Sequence, residues 1–258
     1  MDIRKLNSAT KYPSILTYHE LGDKGRLTQT IQVPFPAGQT VYVTEKVDGT
    51  NGRIVILPPK SPITHFVDRR YLIGSREEFL FAQCDLIYPP DYGIVDALKP
   101  VADGLPGGAE KITVYFFEVY GGDLPASKQY TNSKAVSIRI FDVARVPLAV
   151  LEKPIEQISS WREHGGQEFL TEQEINAYVR SMQDFPVSRV PQVGTDTALP
   201  ATVQGTYDWL KNYEKSQCDL GGGKGRAEGV VVRSEDRKCI AKIRFEDYER
   251  TLDIRRKS

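Results

Sequence analysis

The sequence predicts an α+β protein in which antiparallel β-sheets carry the core and helices flank them. Short runs rich in β-branched and aromatic residues alternate with Gly, Pro and Asp clusters, which is typical of short strands. The last two of these runs are separated by residues 234–237 alone, which favours a hairpin. Helical periodicity is confined to a few segments, so a parallel sheet with a helix after every strand is disfavoured.

The first two strands are predicted on either side of a loop. Residues 40–47 alternate in polarity, residues 48–52 (Asp-Gly-Thr-Asn-Gly) turn the chain, and residues 53–57 return it. This pattern predicts an antiparallel pair with a loop longer than two residues. Four more strands are predicted at Thr113–Tyr120, Ser137–Val143, Ala227–Arg233 and Lys238–Phe245.

Three helices are predicted. Residues 171–174 have capping-box spacing, and apolar side chains follow at i, i+3, i+4 and i+7. The other two helices are predicted at about residues 206–215 and at about residues 77–86. From about 144 to 226 the chain carries mostly helical and proline-broken sequence, which we interpret as an insertion beside the sheets. No linker interrupts the sequence, so residues 1–258 are predicted to form a single domain.

Composition excludes several classes of protein. Of 258 residues, 40% are hydrophobic and 26% charged, which is ordinary for a folded domain and wrong for a disordered one. No apolar run is long enough to span a bilayer and no secretory signal is visible, so we expect a cytoplasmic protein without a membrane partner. The net charge is zero, yet residues 221–258 hold 11 basic against 7 acidic side chains, which suits contact with phosphates.

The loop after the first strand is the most informative segment. Lys46 stands where the strand ends, and Asp48, Asn51 and two glycines follow it, as in a loop that lies close to a ligand. A lysine held there can point its amine into a pocket and attack a phosphorus atom, which is covalent catalysis by a lysine nucleophile. Taken alone, the pattern also suits a surface hairpin with a solvated lysine.

Later strands add charged side chains beside apolar runs. Glu118, Asp142 and Glu228 each lie in or next to such a run, and a lone buried carboxylate is costly, so each needs a cation or a ligand hydroxyl. Lys242 and Arg244 are two residues apart and face the same side of their strand, an arrangement that suits phosphates. Each feature singly also fits an edge strand with a salt bridge, whereas the ordered set favours a site.

In this order the segments resemble the covalent nucleotidyltransferase superfamily of ATP-dependent polynucleotide ligases and mRNA capping enzymes. The chain is most similar to RNA ligases of the RNA ligase 2 and kinetoplastid editing-ligase type, because Asn51 stands where capping enzymes and DNA ligases usually carry arginine. The resemblance runs from Glu45 to Arg244 and is loose between Val143 and Ala227. It implies a nucleotidyltransferase domain, the ATP-grasp-like adenylation domain of ligases.

The resemblance also implies roles for individual residues. Lys46 would bond AMP covalently, with Lys242 and Arg244 completing the catalytic set at the phosphates. Phe141 would stack on adenine, and Mg²⁺ or Mn²⁺ would be held by Glu228 and Asp48. The residues that it places on ATP are Glu45, Asn51, Arg76, Glu118, Phe141, Glu228 and Lys242.

The implied reaction joins RNA. AMP would pass from Lys46 to a 5′-phosphate end, and a 3′-hydroxyl would then displace it, with a nicked duplex as the expected substrate. Arg244 departs from the lysine that the family usually carries. Since 14 residues follow Arg244, we expect no C-terminal OB-fold or helical domain, and recognition of RNA by this domain, its insertion or an accessory protein.

Two alternatives stay open at this point. One is a DNA nick ligase or a GTP-using capping enzyme of the same superfamily. The other is a nucleotide-binding or nucleic-acid-binding module without turnover, which Arg244 favours and which the retained Lys46, Glu118, Glu228 and Lys242 disfavour.

A glycine-rich basic segment lies outside these motifs. Residues 221–226 (Gly-Gly-Gly-Lys-Gly-Arg) lack the spacing of a phosphate-binding P-loop and precede a strand. We interpret them as a mobile basic loop with potential contact to nucleic acid.

Overall fold

The computed structural model describes residues 2–59, 71–82, 85–86, 93–182 and 187–254. Helices in these ranges are α1 (Ile3–Thr10), α2 (Ile94–Ala102), α3 (Ile155–Glu163), α4 (Glu172–Ser181), α5 (Val203–Leu210) and α6 (Phe245–Thr251). The strands described between residues 19 and 121 are β1 (His19–Leu21), β2 (Leu27–Ile31), β3 (Val41–Lys46), β4 (Thr50–Ile56), β5 (Tyr71–Ser75), β6 (Phe79–Ala82), β7 (Asp85–Leu86) and β8 (Lys111–Gly121). The later strands are β9 (Val136–Pro147), β10 (Glu168–Phe169), β11 (Ser188–Arg189), β12 (Gln192–Asp196), β13 (Gly229–Ser234) and β14 (Ile240–Arg244).

The larger sheet has the strand order β10-β9-β8-β4-β5-β6-β7, and β11 pairs with β9. Its central strand β8 is almost continuously apolar because it is buried on both faces. Phe117 packs in the core that includes α2 residue Leu98 and α4 residue Ile175. Its neighbour Phe116 packs in the opposite core, with Leu6 of α1. Alternation along one strand thus builds two cores.

The smaller sheet has the order β12-β3-β13-β14. One face is apolar, and its side chains Val43, Val230, Val232 and Ile243 pack in a core with α5 and α6. The alternate positions carry polar and charged side chains to the other face. That polar face, which includes Lys46, Lys242 and Arg244, meets the larger sheet. Because side chains alternate between the two faces of each strand, the apolar residues of this sheet face the core and Lys46, Lys242 and Arg244 face the other side.

The predicted pairing of residues 40–47 with residues 53–57 is wrong. β3 pairs with β12 and β13 in the smaller sheet, whereas β4 pairs with β5 and β8 in the larger one. The connecting segment therefore crosses from one sheet to the other instead of closing a hairpin. Alternating polarity predicts a strand but does not predict which strand it pairs with. Here the long apolar strand β8 pairs with β4 and buries it.

The helix predicted at about 77–86 is also wrong where the structure describes these residues. Residues 79–82 form β6, which returns along β5, and residues 85–86 form β7. Ser75 closes the turn before β6, because its hydroxyl accepts hydrogen bonds from the backbone N–H groups of Glu77 and Glu78. Phe79 and Leu80 are both buried, which suits a strand covered on two faces better than an amphipathic helix.

Other predicted elements are confirmed. Helix α4 carries the capping box between Thr171 and Glu174, and β13 and β14 form the predicted antiparallel hairpin. Within the described part of residues 144–226, helices α4 and α5 are as predicted, whereas helix α3 and the short strands β10, β11 and β12 were not individually predicted. One of them, β12, lies beside β3 and so borders the lysine-bearing strand. In the ranges that the structure describes, no helix has the length and apolar character that crossing a membrane requires.

Candidate active site

A cavity of about 460 Å³ lies where the two sheets face each other. β3, β13 and β14 contribute residues from the smaller sheet, and β4, β8 and β9 contribute residues from the larger one. All ten residues that the sequence analysis placed in a site line this cavity. They are Glu45, Lys46, Asp48, Asn51, Arg76, Glu118, Phe141, Glu228, Lys242 and Arg244.

Lys46 is the last residue of β3, and its amine donates a hydrogen bond to the carboxylate of Glu228. The two are neighbours because Lys46 is paired with Gly229, the residue after Glu228. Position 229 requires glycine, since a Cβ there would lie 2.1 Å from the Ile243 carbonyl oxygen. Burial raises the pKa of Glu228, and Lys46 opposes this shift. The lysine amine thus has a proton acceptor of increased basicity beside it.

The segment after Lys46 is fixed at two points. The Asp48 N–H donates to the Tyr130 hydroxyl at 2.6 Å. Gly49 lies against β8 so closely that a Cβ would be 2.2 Å from the Val119 carbonyl oxygen. The glycine is therefore required by close backbone approach, and the crossing between sheets has a defined path.

Asn51 and Glu118 lie directly opposite each other on β4 and β8. Among the described side chains, Asn51 has a buried Oδ1 atom with no hydrogen-bond partner. Burial raises the pKa of Glu118 to about 8, with Glu228 and Asp48 adding to the shift and Lys46 opposing it. A bound molecule with hydroxyl groups would satisfy both side chains, which suits the ribose contact that the resemblance implies.

A β-bulge places Phe141 at the cavity. Phe116 is opposite Asp142 and Phe117 is opposite Ile140, so Phe141 is the extra residue on β9. Bulges re-aim side chains near functional sites, and here the ring faces the cavity beside Tyr12, with 4.9 Å between ring centroids. The sequence indicated the aromatic residue but not the irregularity that orients it.

Asp142, next to Phe141, is completely buried among cations. It contacts Arg233 at 3.1 Å and Arg237 at 2.7 Å, and Tyr12 donates a hydrogen bond to it. Burial alone would raise the pKa of Asp142, but Arg237 and Arg233 hold it below its ordinary value. The sequence analysis missed Tyr12, Arg233 and Arg237. The charge that ends the run Val230–Val232 was the available signal for Arg233.

The two cations of β14 differ in their partners. Arg244 is held by two hydrogen bonds of 2.8 Å to the buried carboxylate of Asp247. Within the described part of the chain, Lys242 forms no ion pair, and burial followed by the charges of Arg244 and Lys46 lowers its pKa. Lys242 is therefore the cation most available to an anionic ligand, while Arg244 has a fixed orientation. Arg76 reaches the cavity from the turn before β6, with 63% of its side chain exposed.

Glu45 is 2% exposed, and its carboxylate accepts hydrogen bonds from the Ser216 hydroxyl and from the Gln217 N–H at 2.8 Å. In this geometry both carboxylate oxygens fix the segment that precedes β13. Its implied contact with adenine stays a prediction.

The cavity is better suited to bind a nucleotide than to enclose a metal ion with protein ligands alone. In the ranges covered by the structure, no three His, Cys, Asp or Glu side chains are arranged to coordinate one ion. Mg²⁺ in phosphoryl-transfer sites usually takes one or two carboxylates and shares phosphate oxygens and waters, and Asp48 and Glu228 fit that smaller role. Both carboxylates line the cavity, and Gly229, the residue after Glu228, is paired with Lys46, two residues before Asp48.

Comparison with known proteins gives the family. The sequence profile described as RNA ligase matches residues 39–245, which is most of the chain. The chain belongs to the RNA ligase family. The predicted family and the predicted α+β fold are thereby confirmed. The comparison with curated proteins gives no match for this RNA ligase family member.

Solved structures show the same fold. An RNA ligase of Naegleria gruberi with PPi has a TM-score of 0.54 and 16% identity, over 94% of this chain and 64% of that one. A variant of the same enzyme with ATP and Mn has a TM-score of 0.55 and 17% identity, over 93% of this chain and 62% of that one. This member of the family thus spans less than two thirds of the solved chains that it matches.

Proposed function

We propose that the chain is an ATP-dependent, AMP-forming RNA ligase that carries AMP on Lys46. The observation that supports this most strongly is the convergence on one cavity of the Lys46 amine with carboxylates and cations from two sheets. Membership of the RNA ligase family supports RNA as the polymer, and the similar Naegleria enzyme was solved with ATP and Mn.

In the first step the Lys46 nitrogen attacks the α-phosphorus of ATP. An N–P bond forms, the bond from the α-phosphorus to the bridging oxygen breaks, and pyrophosphate leaves. The amine must lose a proton to become a nucleophile, and the Glu228 carboxylate that accepts its hydrogen bond receives that proton. Lys242 and Arg244 stabilise the negative charge that develops on the phosphates.

Other side chains bind and orient the nucleotide. Phe141 stacks on the adenine ring, Glu118 and Asn51 bind the ribose hydroxyls, and Arg76 contacts a phosphate from the cavity mouth. We place Glu45 near adenine through the segment that it fixes. Mg²⁺ or Mn²⁺ would be held by Asp48 and by the Glu228 oxygen that does not accept the Lys46 hydrogen bond, and it would supply further charge neutralisation at the phosphates.

Membership of the RNA ligase family supports our proposal for the later steps. AMP passes from Lys46 to the 5′-phosphate of an RNA end, and a 3′-hydroxyl attacks that phosphate and releases AMP. We propose a nicked duplex as substrate, in the cytoplasm, with recognition of RNA by this single domain, its 144–226 insertion or an accessory protein.

Labelling with radioactive nucleotide tests the proposal. Wild-type protein with Mg²⁺ and ATP labelled at the α-phosphate should become labelled, and Lys46→Ala should not. Lys111→Ala, which removes an exposed lysine paired with Glu168, is the matched control and should label normally. Labelling by GTP instead of ATP would indicate a capping enzyme, and sealing of DNA nicks alone would indicate a DNA ligase. No labelling by either nucleotide would contradict a covalent mechanism.

A further inference from the structure

The glycine-rich basic segment is hydrogen-bonded through its backbone to two neighbouring segments. Residues 220–226 hydrogen-bond on one side to residues 128–132, through Leu220 N–H to Tyr130 O (2.7 Å) and Lys224 N–H to Lys128 O (2.9 Å). On the other side Gly225 O accepts from Ser216 N–H at 2.7 Å. We call residues 128–132, 214–216 and 220–226 the basic ladder. Residues 221–226 thus form a loop, as predicted, and its backbone is hydrogen-bonded to both neighbouring segments.

Glycine is what allows this segment to lie flat. A Cβ on Gly223 would lie 2.4 Å from the Gln129 carbonyl oxygen, so any other residue would push the two segments apart. Gly222 has a φ of +71° and lies against Asn132, where a Cβ would be 2.4 Å from the amide nitrogen. These close contacts of Gly222 and Gly223 thus fix the backbone position of the adjacent Lys224.

The basic ladder carries three exposed lysines without ion pairs. Lys128, Lys215 and Lys224 form no ion pair within the described residues. Of the nearby acidic residues, Glu214 pairs with Arg226 at 3.0 Å, and Asp219 accepts a hydrogen bond from the Gly221 N–H. Several lysines elsewhere have acidic partners, namely Lys11, Lys111, Lys134, Lys211 and Lys238. In the part of the chain that the structure describes, Lys5, Lys24 and Lys153 lack an ion pair as well, so what sets the three lysines of the basic ladder apart is their place on neighbouring segments.

The basic ladder is hydrogen-bonded at two points to residues that flank Lys46. Tyr130 accepts the hydrogen bond of the Asp48 N–H, and Ser216 donates to Glu45. These contacts lie on either side of Lys46 in the sequence. Lys215 is next to Ser216 and Lys128 is two residues from Tyr130, so two of the three lysines lie on segments that are hydrogen-bonded to residues flanking Lys46.

We propose that Lys128, Lys215 and Lys224 bind the phosphate backbone of the RNA strand whose end is presented to Lys46. The inference rests on the proposed function and assigns a polymer-binding surface to it. Three exposed lysines without ion pairs, on segments bonded to residues on either side of Lys46, suit a polyanion whose end must reach that lysine. An acidic protein partner fits these observations less well, because its binding would not require any part of it to reach Lys46.

Salt-dependent RNA binding tests the surface. The triple variant Lys128→Gln, Lys215→Gln, Lys224→Gln is compared with the charge-matched control Lys5→Gln, Lys24→Gln, Lys153→Gln. The probe is a nicked RNA duplex with a 3′-deoxy end, which cannot be sealed. Each phosphate contact contributes a slope of about 0.7–0.9 to log K against log salt, so the triple variant should lose about 2–3 of slope. The corresponding loss of affinity at ~0.1 M salt is about 100-fold, and the control should bind as the wild type does.

Labelling with ATP separates this inference from the proposed function. The triple variant should accept AMP from labelled ATP at the wild-type rate, because none of its three lysines lines the cavity. Labelling together with unchanged RNA affinity and salt slope would overturn the basic ladder as an RNA surface and leave the ligase proposal intact. Equal losses in both triple variants would overturn it as well, since net charge alone would then explain binding. A wild-type protein that is not labelled would instead remove the proposed function.

Discussion

Arg233 of the smaller sheet and Asp142 of the larger sheet form a buried ion pair with 3.1 Å between nitrogen and oxygen. Arg233 also contacts Glu172 at 2.9 Å, and Arg237, in the β13–β14 turn, contacts Asp142 at 2.7 Å. These contacts cross between the sheets at the edge of the cavity. Because Lys46 and Phe141 belong to different sheets, the ionic cluster helps to fix the distance between the proposed nucleophile and the proposed adenine-stacking ring.

Removing one partner of this cluster should destabilise the protein. Arg233→Met leaves Asp142 and Glu172 buried without one of their cations, and breaking a buried pair in this way costs about 3–5 kcal/mol. Urea denaturation measures the loss. Lys238→Met, in the same hairpin turn but exposed, is the control and should change the free energy of unfolding by less than about 0.5 kcal/mol. Equal stability of the two variants would contradict the bracing role.

The sequence predicted the composition of the site better than its assembly. The Lys46 segment, Glu118, Glu228 and the Lys242–Arg244 pair all meet in one cavity, because chemistry constrains residue type within short motifs. Which sheet each strand joins depends on distant partners. The alternating pattern of β3 therefore supported a hairpin that does not exist.

Two further features of the site, the bulge at Phe141 and the position of Tyr12, could not be predicted from sequence patterns. The bulge at Phe141 is one unpaired residue in an otherwise regular strand, and only the register with β8 reveals it. Tyr12 enters the site from the segment after α1, which has no motif around it. The contact that brings Tyr12 to Asp142 spans 130 residues, so local sequence carried no signal for it.

The stability of the nucleotide-free protein should depend on pH through Glu118. Its carboxyl has a pKa of about 8 in the folded state and an ordinary value of 4.5. The folded state therefore binds more protons between these values, and the free energy of unfolding should fall as pH rises from about 5 to about 8.5. Glu118→Gln should show a shallower fall in urea titrations across this range. Parallel curves for the two proteins would contradict a raised pKa at this carboxyl.

Asp247 should support the reaction by orienting Arg244. Asp247→Asn replaces a buried carboxylate, which accepts hydrogen bonds from two of the three guanidinium nitrogens of Arg244, with a neutral amide. Hydrogen bonds to charged groups are worth about 1.5–3 kcal/mol, so we expect the rate of AMP attachment at saturating ATP to fall about tenfold or more. The neighbouring acid Glu246 pairs with Arg250 instead, and Glu246→Gln should keep the wild-type rate. Matching rates in both variants would exclude an orienting role for Asp247.

Phe141 should contribute to ATP affinity by stacking. Base–aromatic stacking is worth about 1–3 kcal/mol, so Phe141→Ala should weaken ATP binding by roughly 5–150-fold. Phe141→Tyr retains the ring and should bind ATP nearly as the wild type does. Calorimetry in the Lys46→Ala background isolates binding from covalent attachment. A Phe141→Ala protein with unchanged affinity would show that the bulged ring does not contact the base.

The identity of the residue that carries AMP tests the central claim most directly. Wild-type protein incubated with ATP and Mg²⁺, digested at neutral pH and mapped by mass spectrometry should carry one AMP on the peptide that contains Lys46. The bond should be labile to acid, as a phosphoramidate is. An adduct on Lys242 or on another residue, or a protein that seals RNA without any adduct, would contradict the account.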